Sequence, residues 1–152
     1  MLISDGIEQE EYEELKRGFE QELAEVFSTS PQEYLTIETV SQHRRGKDIT
    51  IDFPLEAVEA ESFDGLIIPD GLLSTDLLRR DLRVIELVQS FHQLRLPIFA
   101  SGRAVDILYA SHTLPEQVLV REGSPMSSFI QQAVEVLLES ASTPSNYQVG
   151  NR

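Results

Sequence analysis

The sequence predicts an α/β domain with a doubly wound, mainly parallel sheet and helices on both faces. Two observations carry that prediction. Short apolar runs suited to buried strands alternate with longer stretches whose apolar residues recur every three to four positions. The runs also end in turns, Asp5-Gly6-Ile7-Glu8, Pro69-Asp70-Gly71 and Ser101-Gly102-Arg103, which suit the carboxyl edge of such a sheet and should converge in space.

Met1-Leu2-Ile3-Ser4 reads as a short buried strand. A helix follows, with Tyr12, Leu15, Phe19, Leu23 and Val26 on one face and early glutamates at the positive end of its dipole. A second strand is expected near Ala24 to Ser28. Tyr34 to Val40 and Asp48 to Leu55 alternate like strands, joined through a basic turn around Gly46. Leu66-Ile67-Ile68 suits a central strand buried on both faces. The spacing then predicts one long helix from Ser74 to Leu94, stopped by Pro97 ahead of the strand Ile98-Phe99-Ala100. Ser101-Gly102-Arg103 turns into a helix carrying Val105, Ile107, Leu108 and Tyr109. Val118 to Val120 is a strand, and Ser127 to Ser140 a last helix with Phe129, Ile130, Ala133, Val134, Leu137 and Leu138 inward. One domain over residues 1–141 and a disordered tail over 142–152 are expected, the tail from its Ser, Thr, Pro, Asn and Gly content.

A formal net charge of -14, from 26 acidic and 12 basic residues, argues against nucleic acid and anionic membranes, both of which select clustered Lys and Arg. No apolar run approaches the roughly eighteen residues of a membrane span, and no signal peptide is visible. A cytoplasmic location is the resulting expectation, with the start of the natural chain lying upstream of the short first strand. The chain has no cysteine, hence no disulfide, thiolate or sulfur ligand. His43, His92 and His112 lack metal-ligand spacing. No metal or cofactor is expected.

The stretch FDGLIIPDG, followed by LLRRDLRVIELVQSFHQLRLPIFASGRAVDIL, resembles the core of the DJ-1/PfpI family. That core has a strand ending in a Pro-Gly-Gly type turn, a long helix, a Pro-led strand, and a nucleophile elbow opening a helix. The resemblance covers the first three quarters of the chain and implies a flavodoxin-like, DJ-1-like fold. The part after the elbow helix is short for the family, with only Thr113 to Ser127 before the last helix.

The family's chemistry rests on an elbow cysteine. Five residues after Pro97 the position is Gly102, with Arg103 at the usual histidine and Ala104 at the usual glycine. Glycine carries no nucleophile. Asp70 places a carboxylate in the turn whose backbone donors, by the resemblance, face a developing oxyanion, and Gly71 completes that turn. Glu11 aligns with the glutamate that supports the family's thiol.

Glu11, Asp70, Gly71, Ser101, Gly102 and Arg103 thus form the candidate vestigial site, with no catalytic residue among them. Arg103 is expected to fold over Glu11, Asp70 or both, since guanidinium suits forked carboxylate contacts; the alternative is an anionic ligand bound by Arg103 at the helix N-terminus. Ser101 is the one rescue nucleophile, with a histidine as base. Strand alternation points it away from the elbow, and a serine opening a helix more often caps it. The basic cluster His43, Arg44, Arg45 and Lys47 is an exposed hairpin or a contact for an acidic partner segment.

Taken together these features imply a non-catalytic pseudoenzyme acting as an interaction or scaffold subunit with a protein partner. A residual hydrolase or glyoxalase/deglycase, or a small-ligand sensor in the former pocket, are the alternatives. By the family resemblance, a homodimer is expected.

Overall fold

The structure, a computed structural model, describes residues 1–113 and 117–142. Residues 143–152, nearly all of the predicted tail, lie outside the described residues. The last helix, α5, spans Met126–Ser142, so Ser142 closes a helix where the tail was expected to begin.

Three parallel strands, β6 (Leu66–Ile68), β7 (Ile98–Ser101) and β8 (Val118–Arg121), pair in the register Leu66↔Ile98↔Val118. The Met1–Ser4 segment continues this sheet: Leu2 N donates to the Ile67 carbonyl at 2.8 Å and Ile3 N to that of Thr29 at 3.0 Å. Thr29 opens β2 (Thr29–Ser30), which pairs in parallel with β5 (Phe53–Pro54).

Side chains then alternate by face. Leu2, Leu66, Ile68, Ile98 and Ala100 pack with Leu78, Val84, Val88 and Phe91 on one side. Ile3, Ile67 and Phe99 pack with Tyr12, Leu15, Phe19, Phe129 and Ile130 on the other. The doubly wound arrangement is therefore present, with helices α1 (Gln9–Gln21) and α5 on one face. On the other lie α2 (Leu72–Leu78), α3 (Leu82–Gln93) and α4 (Val105–Ala110).

A smaller sheet flanks the carboxyl edge. β1 (Ile7–Glu8) lies parallel to β3 (Thr36–Ser41), which forms an antiparallel hairpin with β4 (Arg44–Thr50). The hairpin turns on Gln42 and His43, whose φ of 49° and 63° are left-handed, as a two-residue turn between twisted strands requires.

Four expectations need correction. The second strand, expected near Ala24 to Ser28, is β2 at Thr29–Ser30. The helix expected over Ser74 to Leu94 is two helices. Asp81 is the N-cap of α3, its carboxylate accepting from Arg83 N at 2.9 Å, so a capping side chain restarts the helix that apolar spacing alone would continue. The α1 face ends at Phe19: Leu23 sits at φ 65° and is 95% exposed, because the helix terminates at Gln21. Leu138, expected inward, is exposed.

Asp81→Ala should lower stability by about 1 kcal/mol, a fall of roughly 2–4 °C in Tm for a chain of this size. Thermal unfolding followed by circular dichroism measures it, and an unchanged Tm would contradict the capping role.

Candidate functional site

The three turns of the carboxyl edge meet around Asp70. Its Oδ1 accepts from Gly71 N at 2.8 Å and from Arg103 N at 3.0 Å, so one oxygen joins the turn after β6 to the turn after β7. The main chain of Asp70 meets the first turn: Glu8 N lies 3.5 Å from its carbonyl, and its N–H donates to Glu11 Oε1 at 3.3 Å. Gly71 permits this approach, since a Cβ there would stand 3.1 Å from both the Gly6 carbonyl oxygen and Ile7 Cα.

Gly102 has φ +55°, a left-handed conformation that L side chains adopt at a cost. A Cβ built there falls into the Asp70 carboxylate, 2.8 Å from Oδ1 and closer still to Cγ and Oδ2. The space that a side chain at position 102 would take is filled by Asp70.

Arg103 does not behave as the sequence suggested. Its backbone amide meets Asp70, but its guanidinium is exposed and bonds neither Glu11 nor Asp70. The reason is backbone direction: Gly102–Ala104 forms a single 3-10 turn that aims the amide, not the side chain, at the carboxylate. The alternative ligand place for Arg103, an anion on the helix N-terminus, is where the Asp70 carboxylate already lies.

The cation beside Glu11 is Arg121, at the end of β8. Its Nη1 lies 3.5 Å from Glu11 Oε2 and donates to Ser101 Oγ at 3.3 Å, while its Nε donates to the Ser124 carbonyl at 2.8 Å. Register explains the meeting, because Ser101 and Arg121 are direct partners across β7 and β8.

Ser101 is buried and stands at the N-cap of the 3-10 turn, yet its hydroxyl makes no capping bond. Among the described residues no histidine hydrogen-bonds it; its side-chain partner is a guanidinium, which has no acceptor and does not take up a proton. A serine nucleophile needs a base within hydrogen-bond reach, and Ser101 has none among the described residues. His43 occupies the β3–β4 turn, His92 lies in α3 and His112 follows α4.

Arg121 is the site residue that sequence reasoning missed; Glu8 was expected in the converging first turn but not among the site residues. Burial, followed by the charges of Glu10 and Asp70, pushes the Glu8 carboxyl above its ordinary value of 4.5. For Arg121 the available signal was the carboxyl-edge rule itself, which applies to the strand ending at residue 121 as much as to the other two. Among the described residues no group of three His, Asp or Glu side chains is arranged to hold a metal.

This geometry defines a class: a doubly wound α/β domain with an elbow-type turn at the carboxyl edge, here glycine-bearing and lidded by a carboxylate. The chain belongs to the DJ-1/PfpI family, whose family model matches residues 1–119. It is 37% identical over 65 residues to the putative cysteine protease YraA of Bacillus subtilis, and 30% identical over 98 residues to general stress protein 18 of the same organism. The matched regions cover 43% and 61% of this chain and 38% and 56% of those relatives. The fold of oxidized Toxoplasma gondii DJ-1 superposes with a TM-score of 0.79 at 16% identity, covering 92% of this chain and 90% of that one. The cysteine on which the family's usual nucleophile depends is absent from all 152 residues.

The contact between Asp70 and position 102 can be measured directly. Gly102→Ala should destabilise by more than the roughly 1–2 kcal/mol of left-handed strain alone, because it also displaces Asp70. In an Asp70→Gly background the cost should fall to the strain component, and strictly additive costs in a double-mutant cycle would rule out the contact. For Glu8, a raised acid pKa means that the folded chain binds its proton more tightly than the unfolded chain. Stability is then lost as pH rises from 4.5 through the folded value. Glu8→Gln should therefore raise Tm at neutral pH and lose that gain near pH 4; a gain independent of pH would count against the assignment.

Proposed function

We propose that this chain is a non-catalytic member of its family, a pseudoenzyme that serves as an interaction or scaffold subunit for a protein partner. The observation that supports this reading above all is the Asp70 carboxylate over Gly102. By analogy with the family's elbow chemistry, the nucleophile is missing and its place is taken. The two amides suited to an oxyanion already hold the Asp70 carboxylate, and a negative charge developing beside it would be repelled. The neighbouring Ser101 is held by Arg121, without a base among the described residues.

The relative described as a putative cysteine protease marks the chemistry that this chain lacks the residue to perform. A cytoplasmic role without nucleic acid belongs to the same proposal, supported by the net charge of -14. No helix among the described residues is long and apolar enough to cross a membrane. A homodimer, common in the family, is part of the proposal and is read by sedimentation equilibrium.

Turnover tests the reading. Purified protein is assayed with p-nitrophenyl acetate as a hydrolase probe and methylglyoxal as a glyoxalase probe. Rates equal to buffer are expected, with Ser101→Ala indistinguishable from the parent. Turnover that Ser101→Ala abolishes would establish a residual enzyme and overturn the proposal.

A further inference from the structure

Helix α2 buries Leu78 against the sheet but turns its other three leucines outward. Its buried side chains include Ser74 and Thr75, the Thr75 hydroxyl without a partner, whereas Leu72, Leu73 and Leu77 are 50%, 58% and 50% exposed. An amphipathic helix that serves only its own core faces its leucines the other way. Leu73 is held in place by close contact with the Gly6 turn, whose missing Cβ makes room for it. Leu73 and Leu77, one turn apart, form the apolar floor of a groove of about 580 Å³ between α2 and the β3–β4 hairpin, with Val40 beside them.

The groove is lined by three acids, Asp5, Glu38 and Asp76, and three arginines, Arg44, Arg45 and Arg80. Glu38 pairs with Arg45 at 3.2 Å and Asp76 with Arg79 at 3.0 Å, while Asp5 accepts from Glu38 N at 2.8 Å, a bond that orients its carboxylate without cancelling the charge. Arg44 on the hairpin and Arg80 after α2 line opposite walls, and neither has a carboxylate partner among the described residues.

We propose that this groove binds an acidic amphipathic helix of a partner protein, its apolar ridge on Leu73 and Leu77 and its flanking carboxylates on Arg44 and Arg80. The leucine pair supplies the ridge spacing that a docked helix meets, and the unpaired guanidiniums select its charge. This inference rests on the interaction reading above and names the chemistry of the partner.

The test is fluorescence anisotropy with a labelled synthetic helix bearing leucines on one face and glutamates beside them, against the same helix with lysines for glutamates. The glutamate helix should bind, more weakly as salt rises, and the lysine helix should not. Arg44→Glu with Arg80→Glu should weaken binding at least about tenfold, and Arg44→Gln with Arg80→Gln by less. Leu73→Gln with Leu77→Gln should remove binding while the sedimentation mass and circular dichroism stay as in the parent. No binding of the glutamate helix, equal binding of both helices, or binding indifferent to the charge reversal would overturn the proposal. So would a parent dimer that the leucine variant dissociates, which would show a second copy in the groove. Failure of the groove with turnover still at buffer level leaves the non-catalytic reading standing, whereas turnover removes that reading whatever the helix does.

Discussion

A single carboxylate oxygen organises the carboxyl edge of this sheet. Asp70 Oδ1 receives amides from Gly71 and Arg103, two turns separated by the whole of α2, α3 and β7. Charge-assisted bonds of this kind are shorter and stronger than neutral ones, and here they satisfy one backbone donor at the start of α2 and one in the turn leading into α4. The consequence is steric as well as electrostatic. With the carboxylate seated, position 102 tolerates no Cβ, and glycine follows from Asp70 as much as Asp70's seat follows from glycine. The left-handed φ at 102 adds to the same preference.

Around that lock the remaining charges are ordered by burial. Glu11 is largely buried and faces both the Asp70 amide and the Arg121 guanidinium. Arg121 in turn holds the buried Ser101 hydroxyl. Breaking a partly buried pair of this kind leaves the surviving charge desolvated, so the cluster behaves as one unit. Glu8, at the rim, makes no ion pair among the described residues and is shifted towards its neutral form. The site is thus a closed network of internal donors and acceptors.

The surface shows the opposite condition at α2. There the buried side carries Ser74 and Thr75 beside Leu78, and the small hydroxyl residues allow close approach: Ser4 N donates to Ser74 Oγ at 3.0 Å. Leu73 and Leu77 face outward, beside Arg44 and Arg80, which pair with no carboxylate among the described residues. Clustered exposed apolar residues with a charged rim are the ordinary mark of a contact surface.

Much of this fold was legible in the chain. Leu66 to Ile68, Ile98 to Ala100 and Val118 to Val120 declared themselves as strands, and Tyr12, Leu15 and Phe19 as a helix face, because strand and helix periods are local properties of the backbone. The empty elbow at Gly102 and the meeting of the three turns were legible for the same reason, given the rule for parallel sheets. What the sequence could not decide was which cation meets which acid. Arg103, beside the elbow, was the natural candidate, yet Arg121 reaches Glu11 across 110 positions of chain because β8 lies in register with β7. The break at Asp81 and the outward leucines of α2 belong to the same category, since a leucine spacing looks alike whichever way its face is turned. Residue type and spacing determined the elements and the lost nucleophile; strand register and helix orientation, properties of the assembled chain, decided the contacts.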